Sequence, residues 1–89
     1  MLFMVIERWK DTGAVGERAQ RHGRLLPAGV TYHASWIDPK TQRCFQLMEA
    51  PSRNALDPWA RAWIDLMELD IVPVVTSAEF WQGQESSSH

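Results

Sequence analysis

His33, Ser35, Cys44 and Gln46 are the residues whose types and spacing could do chemistry. They alternate along two neighbouring stretches, Val30 to Asp38 and Gln42 to Ala50, with Asp38-Pro39-Lys40-Thr41 as the turn between them. A tight hairpin sets Trp36 opposite Arg43, Ala34 opposite Phe45 and Tyr32 opposite Leu47 on one face. On the other face Ser35 lies opposite Cys44, His33 opposite Gln46 and Thr31 opposite Met48. A slip of one residue would exchange the faces of one strand. In this register the face carrying Phe45 and Leu47 is expected to take the helices. The face with His33, Ser35, Cys44, Gln46 and Met48 is then half polar and lines any cavity, with Glu7 or Arg8 near its mouth.

Each residue has two readings. His33 can act as an acid or base near neutral pH, or simply hydrogen-bond Gln46 or solvent. Cys44 as a nucleophile needs an activating partner; the plain alternative is a buried, inert thiol. A His22/His33 metal site lacks a third ligand, so neither a metal nor another cofactor is expected. His22 fits the last turn of a helix, where the dipole favours a cation.

These residues need elements to hold them. Leu2 to Trp9 reads as a strand apolar on both faces as far as Ile6. Ala14 to His22 is a short helix with Val15, Ala19 and His22 on one face, closed by Gly23. Leu56, Trp59, Ala60, Trp63, Ile64 and Met67 make a helical stripe. That helix is read as starting late, with Asp57 and Pro58 at its cap and first turn, because Pro58 inside a helix would cost about 3 kcal/mol. Leu69 to Thr76 is a strand whose Pro73 marks an edge. Ser77 to Trp81 is a short extension, and 82–89 reads as a disordered polar tail.

The order strand, helix, strand, strand, helix, strand is the α+β ferredoxin-like βαββαβ sandwich, a single domain over 1–81. Two helices cover one face of a four-stranded antiparallel-type sheet. The other face is too apolar to stand in water, so a homodimer through that face is expected. A chain of 89 residues has a small core, which adds to the case for association.

At net charge −2 the chain has no basic footprint for nucleic acid. The apolar opening Met1 to Ile6 lacks a basic flank and is too short to span a bilayer, so a soluble cytoplasmic protein without membrane contact is expected. A lone Cys excludes an internal disulfide and the CxxC of a metallochaperone. Strand three lacks the stacked aromatics of an RNA-recognition sheet. Asp11 beside the first turn disfavours an acylphosphatase-like anion cradle.

MLFMVIERWK, RHGRLLPAGV, TQRCFQLMEA and DIVPVVTSAE together resemble DUF3303, a small bacterial family classed as a domain of unknown function. RCFQLME is the most specific part. The resemblance implies kinship in fold with the dimeric α/β-barrel proteins, whose members include cofactor-free monooxygenases, haem-degrading enzymes and isomerase-like proteins. It carries over no catalytic residue. Two functions follow: a small, apolar or mixed-polarity molecule bound between the sheets of a dimer, or a non-catalytic module whose sheet face only holds the dimer.

Overall fold

A computed structural model describes residues 1–87. Four strands, β1 (Leu2–Trp9), β2 (Thr31–Asp38), β3 (Arg43–Glu49) and β4 (Met67–Val74), form one antiparallel sheet in the order β2-β3-β1-β4. Helix α1 (Thr12–His22) follows β1 and α2 (Asp57–Trp63) precedes β4. A third helix, α3 (Ser77–Ser87), extends beyond the sheet and carries helix into the stretch expected as a polar tail. The last two residues of that tail lie outside the described residues. The α+β, ferredoxin-like arrangement expected from the element order is therefore present, with one helix added.

Local chemistry explains the element ends. The Asp11 side chain accepts from the Ala14 amide and starts α1. Gly23, at φ 66°, ends it and returns its amide to Ala19 O. A short 3₁₀ turn, Arg53–Leu56, is capped by Ser52 and leads directly into α2, with Pro58 in the first helical turn. The late start and the irregular turn before it are thus as read from sequence. Leu56, not Asp57, stands at the cap position. The helix is shorter than its apolar stripe: it stops at Trp63, Ile64 is exposed, and Met67 already belongs to β4. Pro73 sits in β4 at the sheet edge, where its missing donor costs no ladder bond on the open side.

The helices cover the face that bears Phe3, Val5 and Glu7 of β1 and Cys44, Gln46 and Met48 of β3. Val15, Leu56, Trp59 and Trp63 pack there against Phe3, Val5, Met48 and Met67. This reverses the expected faces. Phe45 and Leu47 lie on the outer, uncovered face with Leu2, Met4 and Ile6, and are only partly buried. Alternation alone cannot choose, because both faces of β3 carry large apolar groups. The two indoles of α2 settle it. They pack on the side of the sheet that bears Cys44, Gln46 and Met48.

The hairpin register also differs. Trp36 pairs with Phe45, Ala34 with Leu47 and Ser35 with Gln46, two residues along β3 from the expected alignment. The turn is longer than drawn. Asp38 pairs with Arg43, leaving residues 39–42 as the loop, with Gln42 at φ 55°. The Asp38 carboxylate holds that loop by accepting from Lys40 N at 3.1 Å and Thr41 Oγ1 at 2.6 Å. Between Tyr32 and Ala34 the ladder is irregular, so Tyr32 faces the helices and His33 does not.

Candidate functional site

Between α1, α2 and the sheet lies a cavity of about 260 Å³. Its walls are Trp9, Val15, Ala19, Trp59, Trp63 and Met67, and its floor is β1 and β3. Ile37 and Ser35 border it on the β2 side. The polar end is built from Glu7, Gln46 and Arg24.

Glu7 and Gln46 are the two buried polar side chains among the described residues, 6% and 3% exposed. Burying such groups demands partners, and they have them. Trp9 Nε1 donates to Glu7 Oε1 at 2.8 Å, and Gln46 Nε2 donates to Glu7 Oε2 at 3.4 Å. Arg24 Nη1 donates to Gln46 Oε1 at 2.7 Å. A chain of hydrogen bonds thus runs from an indole through a carboxylate and an amide to a guanidinium. Each Glu7 oxygen accepts one of the two bonds it has room for, so the carboxylate keeps acceptor capacity toward the cavity.

Arg24 is positioned from its backbone. It stands between Gly23 at φ 66° and Leu25 at φ 60°, the latter a left-handed conformation that disfavours a leucine. Its carbonyl accepts from Trp63 Nε1 at 3.1 Å, which ties the turn to α2. Its guanidinium stacks on the Tyr32 ring at 3.5 Å, and the Tyr32 hydroxyl meets Ser35 Oγ at 2.8 Å. Backbone strain beside a directed charge is the pattern expected of a built site.

Burial dominates the electrostatics. Desolvation raises the Glu7 carboxyl above its ordinary value, against the Trp9 hydrogen bond and the Arg24 charge that lower it. Desolvation, reinforced by the Glu7 charge, pushes the Cys44 thiol up to about 11, with Arg24 acting the other way. Cys44 is therefore a neutral thiol at physiological pH and not an activated nucleophile. Glu7 is thus a buried carboxyl that holds its proton more tightly than an ordinary one.

Of the residues singled out from sequence, Ser35, Cys44 and Gln46 come together at this cavity, and Met48 lies beneath it with its sulfur 3.8 Å from Gln46 Nε2. His33 does not join them. It is on the outer side, its Nε2 2.9 Å from Glu49 Oε1. Ser35, Cys44, Gln46 and Met48 face the helices and not, as expected, the side left for a second sheet. Arg24 and the aromatic walls Trp9, Trp59 and Trp63 were missed, and Glu7 was placed only near a mouth. Glu7 has a signal in the sequence: it shares strand parity with Phe3 and Val5, so it is a charge on a buried face. Arg24 has a weaker one, as the residue after a helix-ending glycine. Among the described residues no three His, Cys, Asp or Glu side chains gather as a metal set, and no helix is long and apolar enough to cross a membrane.

The fold and the cavity define a ferredoxin-like α+β domain with an open-sided, partly polar cavity on its helix side. Residues 1–86 match the family model Domain of unknown function (DUF3303), and the chain belongs to that family. Comparison with curated proteins and with solved structures gives no match.

Proposed function

We propose that this protein binds a small, largely apolar molecule in the cavity between its helices and its sheet. The observation that carries the reading is the Glu7–Gln46 pair, buried at the polar end of an aromatic-walled space. Ligand sites are mostly apolar with a few converging polar groups, and this one has that make-up. At about 260 Å³ it suits a molecule below drug size. Glu7 would accept from a hydroxyl or similar donor on the ligand, and Arg24 would offer its charge to an acceptor. The indoles favour a planar ring.

The test is a calorimetric and thermal-shift screen with small hydroxylated aromatic compounds, together with native mass spectrometry of gently purified protein. Binding is expected, with Gln46→Leu and Glu7→Leu weakening it at least ~10-fold, the scale of one lost hydrogen bond to a charged group. His33→Ala should leave it unchanged. Binding insensitive to Glu7 and Gln46 would refute the assignment.

A second reading concerns the outer face. Trp36 is 57% exposed there, beside the partly covered Met4, Ile6, Phe45 and Leu47. A second copy packed on this face would cover them, which supports a homodimer. Arg8 pairs with Glu68 at 3.7 Å and Arg43 with Asp38 at 3.5 Å, Glu49 meets His33 Nε2 at 2.9 Å, and Asp70, opposite Ile6, adds one exposed carboxylate. Such a rim presents no strong field of one sign against a second copy. If the dimer forms and no ligand enters the cavity, the non-catalytic module is the better description.

A further inference from the structure

Helix α3 is a puzzle for a chain of this size. Every described side chain from Ser77 to Gln84 is exposed. Phe80 and Trp81 are 48% and 61% exposed, and their rings meet edge to face at 5.0 Å. The helix is nevertheless well begun. Thr76 Oγ1 accepts from the Glu79 amide and donates to Glu79 Oε1, each at 3.1 Å, so Thr76 caps the first turn. An 11-residue helix is marginal in water without packing. The molecule is drawn out to 52 Å, with a radius of gyration of 15.1 Å. A compact chain of this length would have about 12 Å. An aromatic-bearing helix held away from its own core calls for a surface to dock on.

That surface adjoins the root of α3. A cleft of about 610 Å³ runs along the end of the sheet, lined by Met1, Leu2, Pro73, Val74 and Val75 together with the carboxylates Glu49 and Glu79. Leu2 and Val74 are also the end of the outer sheet face, so the cleft continues the face proposed to pair with a second copy.

Area points to a second copy as the occupant. The outer face, four strands about 4.8 Å apart and about 26 Å long, has a flat footprint of roughly 500 Å². Stable dimers bury about 800 Å² per partner. One helix of this length covers roughly 160 Å² at 1.5 Å per residue and about 10 Å width. An arm given and an arm received would add about twice that to the footprint, enlarging it by more than half. A reciprocal exchange is also what a two-fold interface requires, since each copy offers the same arm and the same cleft.

We infer that α3 is an exchanged arm: Phe80 and Trp81 of one copy pack into the cleft beside Leu2, Val74 and Val75 of a second copy. The inference rests on the homodimer reading above and adds a part to it.

Sedimentation equilibrium on the full chain tests both and separates them. The variants are Phe80→Ser/Trp81→Ser, which touches no buried contact, and Phe45→Glu on the outer face. Circular dichroism confirms that each is folded. The wild type is expected to dimerise at micromolar concentration, and the α3 variant to weaken the dimer at least ~10-fold. Phe45→Glu should give a monomer. A wild-type dimer whose affinity is unchanged in the α3 variant overturns the arm and leaves the dimer standing. A wild type monomeric throughout overturns both.

Discussion

Glu7 carries the chemistry of the proposed site, and its titration can be read directly. Burial makes the folded state hold the Glu7 proton at pH values where the unfolded chain has lost it. The folded state then binds more protons from the ordinary carboxyl range upward to the raised value. In that window stability falls as pH rises. Asp38, held low by Thr41 and Lys40, and Asp65, held low by Arg18, slope the opposite way at lower pH. The clean measure is therefore a difference: thermal midpoints of wild type and Glu7→Gln from pH 4 to 8. The variant is expected to gain on the wild type as pH rises. A constant difference would mean that Glu7 is not desolvated. Cys44 offers a second reading of the same burial. With its thiol raised from 9.0 to about 11, its thiolate at pH 8 is roughly 100-fold scarcer than for an ordinary thiol. Disulfide-reagent labelling of native protein should be slower by at least that factor than in urea, and equal rates would contradict it. Sequence supplied part of this picture. Gln46, Cys44 and Ser35 stood out by type and spacing. The roles of Glu7 and Arg24 depend on which face the helices take, and one strand's alternation does not decide that.

The elements were more legible than their orientation. Strand runs, the capped α1, the late start of α2 behind Pro58 and the edge position of Pro73 follow from local residue chemistry. Register depended on loop length, and the Asp38-anchored loop is longer than a tight hairpin. The end of α2 was obscured because Met67 continues its apolar spacing while pairing with Trp9 as a strand residue. Two elements meet at Arg24, and substitutions there should show it. Trp63→Ala removes a buried indole from the core and the donor to Arg24 O. It is expected to cost roughly 3–5 kcal/mol in urea unfolding. Gly23→Ala forces a side chain into φ 66°, ψ −151°, a region only glycine adopts readily, and should cost about 1–3 kcal/mol. If either is neutral, the turn is not held as described.

At the scale of the whole molecule, the chain separates two surfaces. The helix side holds a small, open-sided cavity with a hydrogen-bonded polar end. The outer side leaves Trp36 and its apolar neighbours uncovered, with α3 standing off beyond them. If the proposed ligand site and dimer face are right, this division makes association and ligand binding separable. Phe45→Glu is expected to alter oligomeric state by light scattering without changing ligand affinity, and Gln46→Leu to do the reverse. The excess of apolar strand residues was legible in the sequence, but not which face stays uncovered: Phe45 and Leu47, expected under the helices, stand on the outer side. The place of the cavity was not legible either, because it depends on how two tryptophans of α2 fill the space above β3. The most direct measurement of the central claim is a crystal structure of the protein with a small hydroxylated aromatic compound selected by the binding screen. The expected result is density for the compound among Trp9, Trp59 and Trp63, with a polar atom within hydrogen-bond distance of Glu7 or Gln46. A cavity that stays empty of it, with the compound bound elsewhere or not at all, would contradict the account.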